Sequence, residues 1–348
     1  MLKKVFPFIM IVAFSVLLVA CNGENTTKDK GDTEGKVTIF TTIYPLQYFT
    51  ERIGGDLVEV ENIIPPGADA HTFEITMKKM MDIADSHAFI RTGTSLEGFA
   101  DSVAASLKNE DVLIVEATEN VRFITPGEHG HHDHEEDEEV HAHSEDEEHD
   151  HDSHEEGQGE HEHHEEDADH HHHHGDVDPH VWIDPIRSIT IAENIKNVLI
   201  ELDPNNQSVF ESNFLILKEE LEELHAEFEE MVKAAENKTF VVSHSAYGYW
   251  EDTYGLKQIG ISGLSPTNEP SQKQLMELID RIKDNDIQYI FFDQNSTNKL
   301  AEIVVSETGT TALTLHNLES MTEDDLKNKD DYFSIMRRNI EALEKEFK

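Results

Sequence analysis

From Lys36 onward, short apolar runs rich in β-branched residues alternate with longer stretches whose apolar positions recur every three or four residues. The first kind predicts strands at residues 37–43, 58–64, 88–91 and 112–116, and the second predicts helices at 46–53, 77–86 and 96–107. That rhythm stops at Pro126 and resumes with Val181-Trp182-Ile183, read as a strand, and a helix over 186–202. A long helix is expected over 207–235, where Phe210, Phe214, Leu217, Leu221, Leu224, Phe228 and Met231 fall at helical spacing. It would measure about 40 Å, and the pattern fades after about four heptads, too soon for a coiled coil. Strands at 239–243, 258–261, 287–293 and 311–315 then alternate with helices at 247–254, 272–284, 298–308 and 332–347. Alternation of this kind specifies an α/β fold with parallel sheets. The expected architecture is two Rossmann-like lobes, 37–203 and 237–348, joined by one rigid helix over 204–236 with a cleft between them.

The first 20 residues stand outside this scheme. Lys3 and Lys4 precede an apolar run over 5–20 that is too short to span a bilayer comfortably and reads as a secretory leader. It ends in Leu18-Val19-Ala20-Cys21, which resembles the bacterial lipobox. Cys21 is the only cysteine, so an internal disulfide and a thiolate metal cluster are both excluded. The expectation is a lipid-anchored protein on the extracytoplasmic face of the cell membrane, with residues 21–36 as a polar tether.

Charge narrows the partners. The chain carries −46, which argues against nucleic acid because phosphate would be repelled. A tract over 127–175 interrupts the first lobe, has almost no apolar residues, and is expected to be a disordered insertion. Residues 128–176 hold 22 acidic residues and no lysine or arginine, yet the rest of the chain still carries −24. The tract also holds His129, His131, His132, His134, His141, His143, His149, His151, His154, His161, His163, His164, His170, His171, His172, His173 and His174. Flexible imidazoles among carboxylates suit weak, multivalent capture of a metal cation, because ordering the segment opposes tight binding.

Six histidines remain: His71, His87, His180, His225, His244 and His316. His71 in "GADAHTFE", His180 in "DPHVWIDP" and His244 in "SHSAYGYW" fall after strands or between turn residues, where open α/β sheets bind ligands. His225 sits inside the long helix and His87 at a helix end, positions that suit satisfied or solvated side chains. Neutral imidazole suits Zn²⁺, and three imidazoles with one carboxylate can close a tetrahedron. Such ligands must be deprotonated, so binding by ordinary histidines would weaken as pH drops through about 6.

Those three segments together with "LHNLESMT" resemble the zinc-binding members of the solute-binding lipoproteins of metal-importing ABC transporters, the cluster A-I metal-binding family. The similarity runs from Val37 to the end of the chain, and an acidic histidine-rich insertion is typical of that branch. The resemblance implies His71, His180, His244 and Glu319 as ligands of a transported Zn²⁺, a membrane permease as partner, and a monomer without enzymatic activity. Manganese-binding relatives replace the third histidine with a carboxylate, so His244 points to zinc. Asp293 in "FFDQN" is the alternative fourth ligand or a partner of one, and Glu74 could orient a ligand imidazole. Tyr247, Tyr249 and Trp250 are candidates for the cleft wall or the core. A zinc hydrolase is the rival class, but H-E-x-x-H, a nucleophile elbow and a phosphate loop are all missing. A surface metal buffer or adhesin, with the histidine tract as its working part, is the third reading.

Overall fold

β1 (Val37–Thr41), α1 (Tyr44–Gly54), β2 (Val58–Asn62), α2 (Met77–Ala84), β3 (Ala88–Arg91), α3 (Gly98–Leu107) and β4 (Leu113–Glu116) build the first sheet, all parallel, in the order β2-β1-β3-β4. Two helices follow, α4 (Pro185–Leu202) and α5 (Gln207–Ala234). The second sheet comprises β5 (Thr239–His244), α6 (Gly248–Tyr254), β6 (Lys257–Ser262), α7 (Gln272–Asp284), β7 (Tyr289–Phe292), α8 (Lys299–Thr308) and β8 (Thr311–Thr314). Its order, β6-β5-β7-β8, repeats that of the first. α9 (Glu323–Asn328) and α10 (Tyr332–Phe347) complete the chain. This computed structural model describes residues 35–125, 177–295 and 299–348; the leader, Cys21, nearly all of the tether and the histidine-rich tract lie outside them.

Parallel strands need crossovers, and each helix returns the chain so that every strand starts at the same end of its sheet. The loops leaving the strands therefore gather at the carboxyl ends. Several helices start on side-chain caps that stop them running into those loops. The Thr76 hydroxyl accepts from the Lys79 N–H, Asp184 caps α4 ahead of Pro185, and Ser271 and Gln274 form a capping box on α7.

All seven apolar positions that define the long helix in the sequence are buried in α5. It is 28 residues long, about 42 Å. α5 is not the only link between the sheets. Tyr48 and Phe49 of α1 meet Tyr332 and Phe333 of α10 with ring centroids 5.0–6.0 Å apart. Ile39, Phe49, Trp182, Leu221, Phe240 and Trp250 all belong to one continuous core that reaches from the first sheet to the second. Val37–Lys348 accordingly form one compact unit. Hinging the sheets apart would expose that core, so the loops between them are held in a fixed relation.

One element departs from expectation. Val181–Ile183 form a single 3-10 turn, not a strand. All three side chains are fully buried, and the Trp182 indole N–H donates to the Asn317 carbonyl at 2.7 Å, so tertiary contacts on several sides replace a sheet ladder.

Candidate metal centre

Four loops deliver four side chains to one point. The chain leaving β2 carries His71, the segment before α4 carries His180, β5 ends on His244, and the loop after β8 carries Glu319. Their ligand atoms all lie within 4.8 Å of one another. Among the described residues six buried side-chain polar atoms have no hydrogen-bond partner, and four of the six are Nε2 of His71, His180 and His244 and Oε1 of Glu319. Buried polar atoms are seldom left unsatisfied, so four meeting in one place imply a missing partner. Glu319 Oε1 stands 3.4 Å from His71 Nε2 and 3.3 Å from His180 Nε2. Those separations are too long for good hydrogen bonds. They match the edges of a tetrahedron whose bonds are near 2.0–2.1 Å, about 3.3–3.4 Å.

The surrounding residues hold the imidazoles in place. His180 is fully buried; its Nδ1 is 2.8 Å from Asp178 Oδ1, which also accepts from the His180 backbone N–H at 3.0 Å. His244 Nδ1 is 2.6 Å from Asp293 Oδ2, and the Ser243 hydroxyl donates to the same oxygen. With Nδ1–H committed to a carboxylate, Nε2 is the atom left to bind an ion. Asp293 thus stands behind His244 and outside the group of four. Glu74 is exposed and among the described residues makes no hydrogen bond to a histidine, so the expected support for a ligand imidazole from that residue is not found. The His71 loop is held instead by Asp69, whose carboxylate accepts from the His71 backbone N–H at 2.8 Å.

Glu319 is aimed by a strained loop. Leu318 adopts φ 66°, unusual for a bulky residue, and its N–H donates to His316 Nδ1 at 2.9 Å. His316 Nε2 in turn lies 3.1 Å from Asp325. The loop is laced to the one carrying His71: Gly67 N–H donates to the Met321 carbonyl and the Ser320 hydroxyl to the Ala68 carbonyl. Tyr247, Tyr249 and Trp250 are core residues with directed polar ends, Tyr247 OH on the Leu315 carbonyl and Tyr249 OH on the Asp178 carbonyl. A Cβ on Gly248 would come 2.6 Å from Asp178 Oδ2, so only glycine lets α6 approach this closely. His87 and His225 are satisfied by Thr38 and Tyr254, as their positions suggested.

Asp178 and His316 are the functional residues that sequence reasoning missed. "DVDPH" does carry a signal for the first, since an aspartate two residues before a histidine can turn back onto that residue's own N–H.

The electrostatics of the metal-free site are those of a stored proton. Burial opposes a charge on His180, but the carboxylates of Asp178, hydrogen-bonded to Nδ1, and of Glu319, 3.3 Å from Nε2, outweigh it and raise the imidazole to about 9. Burial likewise opposes a charge on Glu319, yet His180 and His71 hold its carboxyl well below the usual range. A proton therefore occupies the electrostatic position that a cation would take.

The "Zinc-uptake complex component A periplasmic" family model matches residues 39–346. The zinc-binding protein AdcA of Streptococcus pyogenes is 35% identical over 310 residues, which cover 89% of this chain and 56% of that protein. The chain thus spans little more than half the length of the streptococcal relatives it matches. The high-affinity zinc uptake system protein ZnuA of Bacillus subtilis is 31% identical over 344 residues, 99% of this chain and 98% of that one. The crystal structure of the Zn(II)-bound ZnuA-like domain of Streptococcus pneumoniae AdcA superposes with a TM-score of 0.68 at 31% identity, covering 90% of this chain and 99% of that domain. With the match running nearly from end to end of the two-sheet unit, the chain belongs to the zinc-uptake complex component A family.

Proposed function

We propose that this protein captures Zn²⁺ outside the cytoplasm and delivers it to the membrane permease of an ABC importer, as a lipoprotein anchored through Cys21. His71, His180, His244 and Glu319 are the ligands. The convergence of their four unpartnered buried atoms within 4.8 Å of one another, with Glu319 Oε1 at 3.3–3.4 Å from two of the imidazoles, carries this reading. Four protein donors leave no open position for a catalytic water, which favours binding and release over hydrolysis. Three imidazoles with one carboxylate favour zinc over manganese. Titration of the purified chain against a chromophoric chelator should find one tight zinc site, abolished when His71 and His180 are both replaced by alanine. Tight binding that survives the double replacement rules out this ligand set.

Asp178 supports the site from behind. Asp178→Ala should weaken zinc binding by about 10–100-fold, whereas Asp178→Asn should recover most of the loss, since an amide oxygen still accepts from both N–H groups of His180. Equal affinities for the alanine variant and the wild type would remove Asp178 from this role.

The histidine-rich tract supplies loose sites beside the tight one. Its flanks are hydrogen-bonded neighbours, Asp178 N–H donating to the Ile124 carbonyl at 3.0 Å, so a short turn can replace it. Deleting residues 128–175 should leave the fold and one tight site, and calorimetry should register fewer zinc ions per chain. Unchanged stoichiometry would refute capture by the tract.

A further inference from the structure

The cavity that opens on the cluster of orphan atoms reaches only two of the four. It measures about 440 Å³, with the buried His244 and Glu319 at its floor, Asp69, Pro266 and Gln294 in its walls, and the exposed Thr267 and Glu269 at its rim. His71 and His180 do not line it. His180 is covered on its other sides by Asp178 and by the Trp182 ring, whose centroid is 5.5 Å away. At about 30 Å³ per water the cavity holds on the order of a dozen molecules, room for a divalent ion with part of its hydration shell. Its charged lining is mostly acidic, with Asp69, Glu269, Asp293 and Glu319 against Lys299. Asp69 and Asp293 are engaged by the His71 backbone N–H and the His244 ring, and Glu319 belongs to the group of four. The Glu269 carboxylate makes no hydrogen bond or ion pair among the described residues, and it is the acidic group furthest out.

We propose that zinc enters and leaves through this cavity, which is lined mainly by the second-sheet half with Ala68 and Asp69 of the first-sheet half on one side, and that Glu269 is the rim charge that draws the hydrated ion in. His244 and Glu319 then take the ion first, and His71 and His180 complete the set as the remaining waters leave. The proposal rests on the ligand assignment above and adds a route and an order to it.

A route makes a prediction that a ligand assignment does not: blocking it slows filling and emptying together and leaves the equilibrium alone. Thr267 is exposed and outside the ligand group, so it can carry a plug. In the full chain with Cys21→Ser, Thr267→Cys labelled with a bulky maleimide should slow zinc association and chelator-driven release by about tenfold or more, with affinity within about threefold of the unlabelled variant. Trp182, close to His180, provides the fluorescence signal in stopped flow. Glu269→Lys, tested separately, should slow association by roughly threefold to tenfold at low salt, and the difference should vanish near 1 M salt. A labelled chain that fills and empties at the unlabelled rate overturns the route. A Glu269→Lys chain that associates as fast as wild type at low salt overturns the role of the rim charge. If either happens while His244→Ala still abolishes tight binding, the ligand reading stands and only the route fails; a wild-type chain without a tight zinc site removes the ligand reading itself.

Discussion

His244→Ala should weaken zinc binding by more than about 100-fold, beyond what loss of a supporting residue costs. The substitution removes one of four donors and takes from the Asp293 carboxylate the ring it was holding, leaving it the Ser243 hydroxyl. Water from the adjoining cavity can reach the vacant position but cannot match an imidazole aligned by a buried carboxylate. Glu319→Ala should cost less for a reason particular to this site. Glu319 is one of the two carboxylates that keep His180 protonated, so its removal makes the imidazole easier to deprotonate and offsets part of the lost bond. Competition against a chromophoric chelator at about pH 7.5 measures both. Wild-type affinity in His244→Ala would exclude that residue from the site.

Zinc affinity should fall about tenfold for each pH unit between roughly pH 8 and pH 6, because His180 titrates at about 9 and must release a proton to bind the ion. An assembly of ordinary histidines would instead hold its affinity down to about pH 6.5. The structure therefore moves the onset of pH sensitivity upward by more than two units relative to the expectation from composition. Near neutral pH about one proton should leave His180 for each zinc taken up, and calorimetry in buffers of different ionisation enthalpy would count it. Affinity that is flat from pH 8 to pH 7 contradicts the stored proton. The same pair shapes the stability of the metal-free protein. The His180 contribution is fully present below the unfolded value near 6.5 and is lost as pH rises through about 9. Glu319, whose carboxyl is depressed, contributes above its ordinary value near 4.5 and loses that contribution as pH falls well below it.

The interior hydrogen bonds explain why the two carboxylates behind the histidines differ in how readily they are read. Asp293 follows an apolar strand and draws notice as a candidate ligand, yet its role depends on the 2.6 Å approach to His244 from a neighbouring strand, β7 beside β5. Asp178 is adjacent in sequence to the residue it serves, but it lies at the end of a polar, acidic tract where one more aspartate carries no contrast. Glu74 was suggested by its spacing of three from His71, which matters on a helix; the backbone there is a turn, and the side chain points to solvent.

Periodicity alone determined the alternation of strands and helices, the length and buried face of α5, and the placement of His244 at the end of a strand, while turn residues placed His71 and His180 in loops, because side-chain burial repeats every two residues in strands and about every 3.6 in helices. The resemblance carried in four short segments supplied Glu319. Tertiary structure decided what periodicity cannot encode. The run Val181–Ile183 turns because Trp182 must reach Asn317, 135 residues away, and the two sheets share a core through the contact of Tyr48 and Phe49 with Tyr332 and Phe333. The proton on His180 likewise depends on Glu319, which lies far along the chain in the loop after β8. Local spacing acts over a few residues, whereas burial and charge act between whatever groups the fold brings within a few ångströms.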